Sequence, residues 1–190
     1  MDSGQHAEKE KMKIARSLIS IVIMVVVVVV LAFLMRIFAF EPYEIPSGSM
    51  ETTIMTGDMV FSEKVSYYMR QPAAGDIVTF NDPTTPSRTL IKRVIAVGGQ
   101  TVNLVDGKVV VDGVTLEEDY THGAVSYPLS SSAEGVTVNY PYTVPEGYVW
   151  VMGDNRTNSQ DSRYFGAIPV SSITGRANLI YWPLNHIGFL

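Results

Sequence analysis

The residues of this sequence able to do chemistry fall in three places: the turn Pro46-Ser47-Gly48-Ser49, a lysine at position 92 inside an apolar run, and a polar stretch from Gly153 to Gly166. The chain has no cysteine, which excludes thiol nucleophiles, disulfides and Cys-ligated metals. Its three histidines, His6, His122 and His186, are not spaced as metal ligands. Metal catalysis is therefore not expected, and no cofactor is assigned. A hydroxyl nucleophile needs a base, and neither His122 nor His186 has a supporting motif; His186, in Leu184-Asn185-His186-Ile187, reads as a packing or surface residue. A serine–lysine pair, with the nucleophile in the Pro46-Ser47-Gly48-Ser49 turn, needs the fewest assumptions.

Lys92 lies in Leu90-Ile91-Lys92-Arg93-Val94-Ile95-Ala96-Val97. In a strand, side chains two apart share a face, which groups Lys92 with Leu90, Val94 and Ala96. Burial disfavours the ammonium form and lowers the pKa. A drop of about 3 units, roughly 4 kcal/mol of differential solvation, would yield a base near neutrality. The competing reading is an exposed strand edge on which Lys92 snorkels. The Pro-Ser-Gly-Ser segment is equally compatible with an ordinary turn. In the third cluster, Ser159 is positioned to orient a neighbouring base, and Asp161 and Arg163, two apart, can brace one another as a charge pair. The alternative there is a loop that satisfies its own backbone through Asx-type hydrogen bonds.

Short β-branched and aromatic runs must position these residues. Met59 to Phe61, Asp76 to Phe80, Thr89 to Val97, Thr101 to Val105, Lys108 to Val111, Val136 to Tyr140, Tyr148 to Met152 and Ala177 to Trp182 read as strands. Asp106-Gly107 and Asp112-Gly113 read as hairpin turns. The expected fold is mainly β: antiparallel sheets coiled or partly closed into a barrel, behind one N-terminal transmembrane helix. His122 to Gly135 reads as a solvent-facing loop.

From Leu18 to Phe40 the chain is apolar apart from Ser20 and Arg36. As a helix this stretch would be roughly 35 Å long, enough to cross a hydrocarbon core of about 30 Å. A cleavable leader is disfavoured because its apolar region is typically about 7 to 15 residues and ends in small residues. Lys9, Lys11, Lys13 and Arg16 precede the span while Glu41 and Glu44 follow it, which places the N-terminus in the cytoplasm and the rest outside. The expected organisation is a cytoplasmic tail over residues 1–16, disordered to about residue 12, an anchor over 17–40 with Arg36 snorkelling, and an extracytoplasmic domain over 41–190. That anchor makes the lipid bilayer a partner. Beyond residue 40 the chain carries nine basic and sixteen acidic side chains, net -7, so it lacks the basic footprint of a nucleic-acid binder.

Pro46-Ser47-Gly48-Ser49-Met50, Gly75-Asp76-Ile77-Val78, Leu90-Ile91-Lys92-Arg93-Val94 and the run from Gly153-Asp154-Asn155-Arg156 to Phe165-Gly166 together resemble the ordered boxes of bacterial type I signal peptidases, compact Gram-positive members in particular. The resemblance implies a membrane-bound serine endopeptidase that releases exported proteins from their signal peptides without a cofactor. By motif position it implies Ser49 as nucleophile, Lys92 as general base, and the Ser49 N–H with the Ser47 hydroxyl as the oxyanion hole. Ser159 would orient the lysine, with Asp161 and Arg163 as the supporting pair. Thr52 and Thr157 stand where many members have Pro and Asp. The implied partners are signal-peptide-bearing secretory precursors, with the secretion translocase as a further candidate. Two alternatives stand beside this: a membrane-anchored β domain that binds without catalysis, for which Lys92→Arg would change nothing, and a peptidase dedicated to a few precursors.

Overall fold

The computed structural model describes residues 3–38 and 40–190; the side chains of residues 1–11, 15 and 34–40 lie outside the described set, and with them the expected snorkelling of Arg36. The chain divides into two units, residues 1–39 and 40–190.

The first unit is one helix, α1 (Ser3–Phe38). Its stretch Met12–Phe33 has a mean hydropathy of 2.9, is long and apolar enough to cross a membrane, and buries nothing within the protein. The helix begins at Ser3, so the expected disordered tail is helical from that residue onward. Ala7 to Lys13 are nearly all strong helix formers, and adding them to an existing helix avoids the cost of nucleation.

The second unit holds twelve strands among the described residues, all pairings antiparallel. They are β1 (Phe40–Glu44), β2 (Met59–Glu63), β3 (Ile77–Asn81), β4 (Thr89–Val97), β5 (Thr101–Val105), β6 (Lys108–Val111), β7 (Val114–Thr115), β8 (Tyr142–Thr143), β9 (Tyr148–Met152), β10 (Ile168–Pro169), β11 (Ile173–Trp182) and β12 (Gly188–Phe189). One sheet runs β1-β2-β11-β3-β4-β9-β10 with β12 added on β11, and the other runs β7-β6-β5-β8. Two short helices, α2 (Ser66–Met69) and α3 (Ser162–Phe165), complete the unit.

The larger sheet stays open, so the antiparallel architecture holds but barrel closure does not occur. Its terminal strands β1 and β10 contain Pro42 and Pro169, which have no N–H to offer a further strand. Both Asp-Gly turns form as read: Asp106 and Gly107 have φ of 50° and 77°, and Asp112 and Gly113 have 51° and 81°. These are the left-handed values of tight hairpin turns.

Val136 to Tyr140 is not a strand. Its alternating side chains Val138 and Tyr140 do face a core, that of Val102, Val109 and Trp150, with Tyr140 edge-on to Trp150. Its backbone, however, pairs with no strand and runs on into Pro141. Within β4, the register against β9 shifts between Val94 and Ala96. Val94 therefore packs with Val78, Phe80, Val149 and Val151, whereas Ile95 and Ala96 both join the Trp150 core. Lys92 keeps Leu90 and Val94 as face-mates and lies opposite Val78, but Ala96 belongs elsewhere.

Candidate active site

Residues 45 to 58 form a loop closed at its neck. Ile45 N–H donates to the Asp58 carbonyl at 2.9 Å, and Gly57 N–H donates to the Ile45 carbonyl at 2.8 Å. Ile45, Met50 and Ile54 anchor the loop by burying against Val60, Ile77, Ile91 and Ile180. That packing holds the loop against the sheet and leaves Ser47 exposed at the start of a single 3-10 turn, Gly48–Met50. The Ser47 hydroxyl makes no hydrogen bond among the described residues. Ser49, inside that turn, is 8% exposed.

Lys92 reaches Ser49 from β4. Its Nζ donates to Ser49 Oγ at 2.7 Å and to the Ile91 carbonyl at 2.8 Å. The residue is 2% exposed. Burial pulls its pKa down to about 8, against the partial opposition of the Asp161 carboxylate. The snorkelling alternative is thereby excluded.

The polar stretch after β9 wraps the Ser49 loop. Asn155 N–H donates to the Ser49 carbonyl at 3.2 Å, and its Nδ2 donates to the Gly48 carbonyl at 2.9 Å. Asn155 was not singled out by sequence, since nothing marks it among the polar neighbours Asp154, Arg156 and Asn158. Gly153 is a second such residue: a side chain there would collide with both Ser159 Oγ and the Ser49 carbonyl. Gly153→Ala should therefore displace the serine loop and cut activity more than stability, as assays of turnover and melting on the same preparation would show; unchanged turnover would refute the packing argument.

Asp161 and Arg163 are both buried and pair in two bonds of 2.9 Å. Asp161 also caps α3 and accepts from Gly153 N–H at 3.0 Å, while Arg163 donates to the Arg156 carbonyl at 2.8 Å. Removing one member of a buried pair strands the other charge, so Arg163→Ala should cost about 3 to 5 kcal/mol. Chemical denaturation reads this directly, and a loss below about 1 kcal/mol would match a solvent-screened pair instead. Ser159 lies in the same region with its Oγ buried and without a hydrogen-bond partner among the described residues. Arg93 binds Asp154 in two bonds of 2.8 and 2.6 Å, and Thr53 donates to the same carboxylate at 2.6 Å, which ties β4, the polar stretch and the Ser49 loop together.

A serine hydroxyl in direct contact with the amine of a buried lysine is the arrangement of Ser–Lys hydrolases. Residues 18–182 match the family model described as signal peptidase, peptidase S26. The chain is 40% identical over 167 residues to a probable signal peptidase I-1 of Synechocystis, covering 84% of this chain and 80% of that protein. It is 38% identical over 163 residues to thylakoidal processing peptidase 1 of Arabidopsis thaliana, covering 80% of this chain but only 45% of that longer relative. A solved signal peptidase I from Enterococcus faecalis is 35% identical, with a TM-score of 0.46 over 56% of this chain and 97% of that one. The chain belongs to the signal peptidase family, peptidase S26.

Proposed function

We propose that this protein is a membrane-bound serine endopeptidase that cleaves N-terminal signal peptides from exported proteins. The observation that carries the reading is the 2.7 Å contact between Ser49 Oγ and the amine of a lysine buried to 2% exposure. In the neutral-amine state the hydrogen bond reverses, and the Ser49 hydroxyl donates to Lys92 Nζ. As Oγ attacks the scissile carbonyl, the amine takes that proton. The negative oxygen is met by the Ser49 N–H and the unengaged Ser47 hydroxyl. Lys92 then returns the proton to the leaving amine, which departs with the mature chain. A water, deprotonated by the same lysine, hydrolyses the ester and restores Ser49.

Ser159, with its unpartnered buried Oγ, supplies a further acceptor for the amine, and the Asp161–Arg163 pair supports the loop around it. The substrate is a signal-peptide-bearing precursor whose extended cleavage region pairs along a strand edge, with small side chains admitted one and three positions before the cut. The apolar part of α1, from residue 17 to its end at Phe38, anchors the chain in the bilayer, short of the expected limit at residue 40, which already belongs to β1. Residues 1–16 lie on the cytoplasmic side, and 41–190 work on the other, with the secretion translocase as a candidate neighbour.

The test is incubation of the detergent-solubilised chain with a secretory precursor, followed by mass determination of the product. A single cut after the small residues of the cleavage region is expected. Cleavage at scattered sites, or none, would contradict the reading.

A further inference from the structure

We propose that His186 is a positioning residue for the nucleophile loop, and that the segment 184–190 locks that loop closed from outside the family's matched region. Residues 18–182 carry the family match, so this segment lies beyond it.

The loop that carries Ser49 closes at Asp58, and the Asp58 side chain is only 3% exposed. One oxygen of its carboxylate, Oδ2, accepts from Met55 N–H at 2.8 Å. The same oxygen lies 2.8 Å from His186 Nδ1, in the short turn Leu184–His186 that follows β11. A buried carboxylate with a single backbone donor is under-satisfied. The His186 ring nitrogen lies within reach of that carboxylate at the neck, where Ile45 and Asp58 bring the loop's two arms together.

A second anchor lies four residues on. Gly188–Phe189 pairs with β11, and Leu190 N–H donates to the Asn178 carbonyl at 3.1 Å. Leu190 packs against the cluster that contains Ile45, Met50 and Ile54, the three side chains that anchor the nucleophile loop. Ile187 and Phe189, by contrast, point into solvent. The segment therefore meets the loop through a polar contact at Asp58 and an apolar one at Leu190. Neither contact reaches the reacting atoms, so His186 acts through Asp58 on the placement of Ser49.

This inference rests on the reading of Ser49 as nucleophile, and its test separates the two. His186→Leu removes the donor at a partly exposed position, whereas His186→Asn retains an amide N–H at the place of Nδ1. Hydrogen exchange of the Met55, Gly57 and Ile45 amides should accelerate on the order of tenfold in His186→Leu, because the carboxylate at the neck loses its polar neighbour. Precursor cleavage should show kcat lowered by a similar factor with KM within about twofold, and His186→Asn should restore both readouts to within about threefold. Unchanged exchange in His186→Leu overturns the lock, and faster exchange at unchanged kcat overturns its positioning role. If the unaltered chain cleaves no precursor, the peptidase reading fails by itself, and exchange alone decides whether the lock exists.

Discussion

Ser49→Ala should reduce precursor cleavage by about 10³-fold or more while leaving the fold intact. The Ser49 hydroxyl's contact is with Lys92 Nζ at 2.7 Å, and that amine retains the Ile91 carbonyl at 2.8 Å after the change. The turn itself is held by main-chain groups, the Gly48 and Ser49 carbonyls accepting from Asn155, and these survive the substitution. Thermal unfolding of Ser49→Ala should thus match that of the unaltered chain within a few degrees. Ser47→Ala is the informative partner: its hydroxyl is exposed and unengaged in the resting structure, so any loss must arise in the transition state. Removal of one oxyanion donor is expected to lower kcat by about 10²- to 10³-fold. A Ser47→Ala enzyme with unaltered kcat would remove Ser47 from the oxyanion hole, and residual full activity in Ser49→Ala would refute the nucleophile assignment.

Much of this site could be read from residue types, for a physical reason. β4, β5, β6 and β9 begin and end where the runs Thr89–Val97, Thr101–Val105, Lys108–Val111 and Tyr148–Met152 do, because β-branched residues bounded by turn residues, Gly98-Gly99, Asp106-Gly107, Asp112-Gly113 and Gly147 among them, have little alternative. The first half of β11, Ile173–Arg176, escaped notice because Thr174 and Gly175 give it no apolar alternation. Its strand character comes from its partners, β3 on one side and β2 on the other. Val136 to Tyr140 failed in the opposite direction: alternation reports which side chains face a core, not whether a sheet edge is available to the backbone. The serine–lysine pair was legible through the ordered motifs taken together, since a lysine in an apolar run is by itself equally compatible with an exposed strand edge. Asn155, Gly153 and the Asp58–His186 contact were not, since each depends on a loop meeting a segment about 100 residues or more away, and no local pattern encodes that meeting. His186 in particular reads as a surface residue until Asp58 is seen beneath it.

The burial that suits Lys92 to the proposed role of base should also make it a burden on stability, and Lys92→Met separates the two effects. With a pKa near 8 in the folded chain against 10.5 when unperturbed, the folded state binds fewer protons than the unfolded state between those values. Stability must therefore rise with pH across that window, and below about pH 8 the full penalty, about 3 kcal/mol, is present. Methionine fills similar volume without a charge to desolvate. It leaves the Ile91 carbonyl without its donor, at a cost of about 1 to 2 kcal/mol, so the net gain at pH 7 should be about 1 to 2 kcal/mol. Chemical denaturation of both proteins from pH 6 to pH 10 would show the gain shrinking as the amine of the unaltered chain loses its proton. Cleavage by Lys92→Met should be lost by about 10³-fold or more, and Lys92→Arg should be equally inactive, since a guanidinium retains its proton throughout. In the unaltered enzyme kcat/KM should climb with pH and level off above about 8, as the neutral amine becomes the prevailing form. A flat profile from pH 6 to pH 10, or a Lys92→Met protein less stable than its parent at pH 7, would show that the buried amine is neither the titrating base nor a desolvated charge.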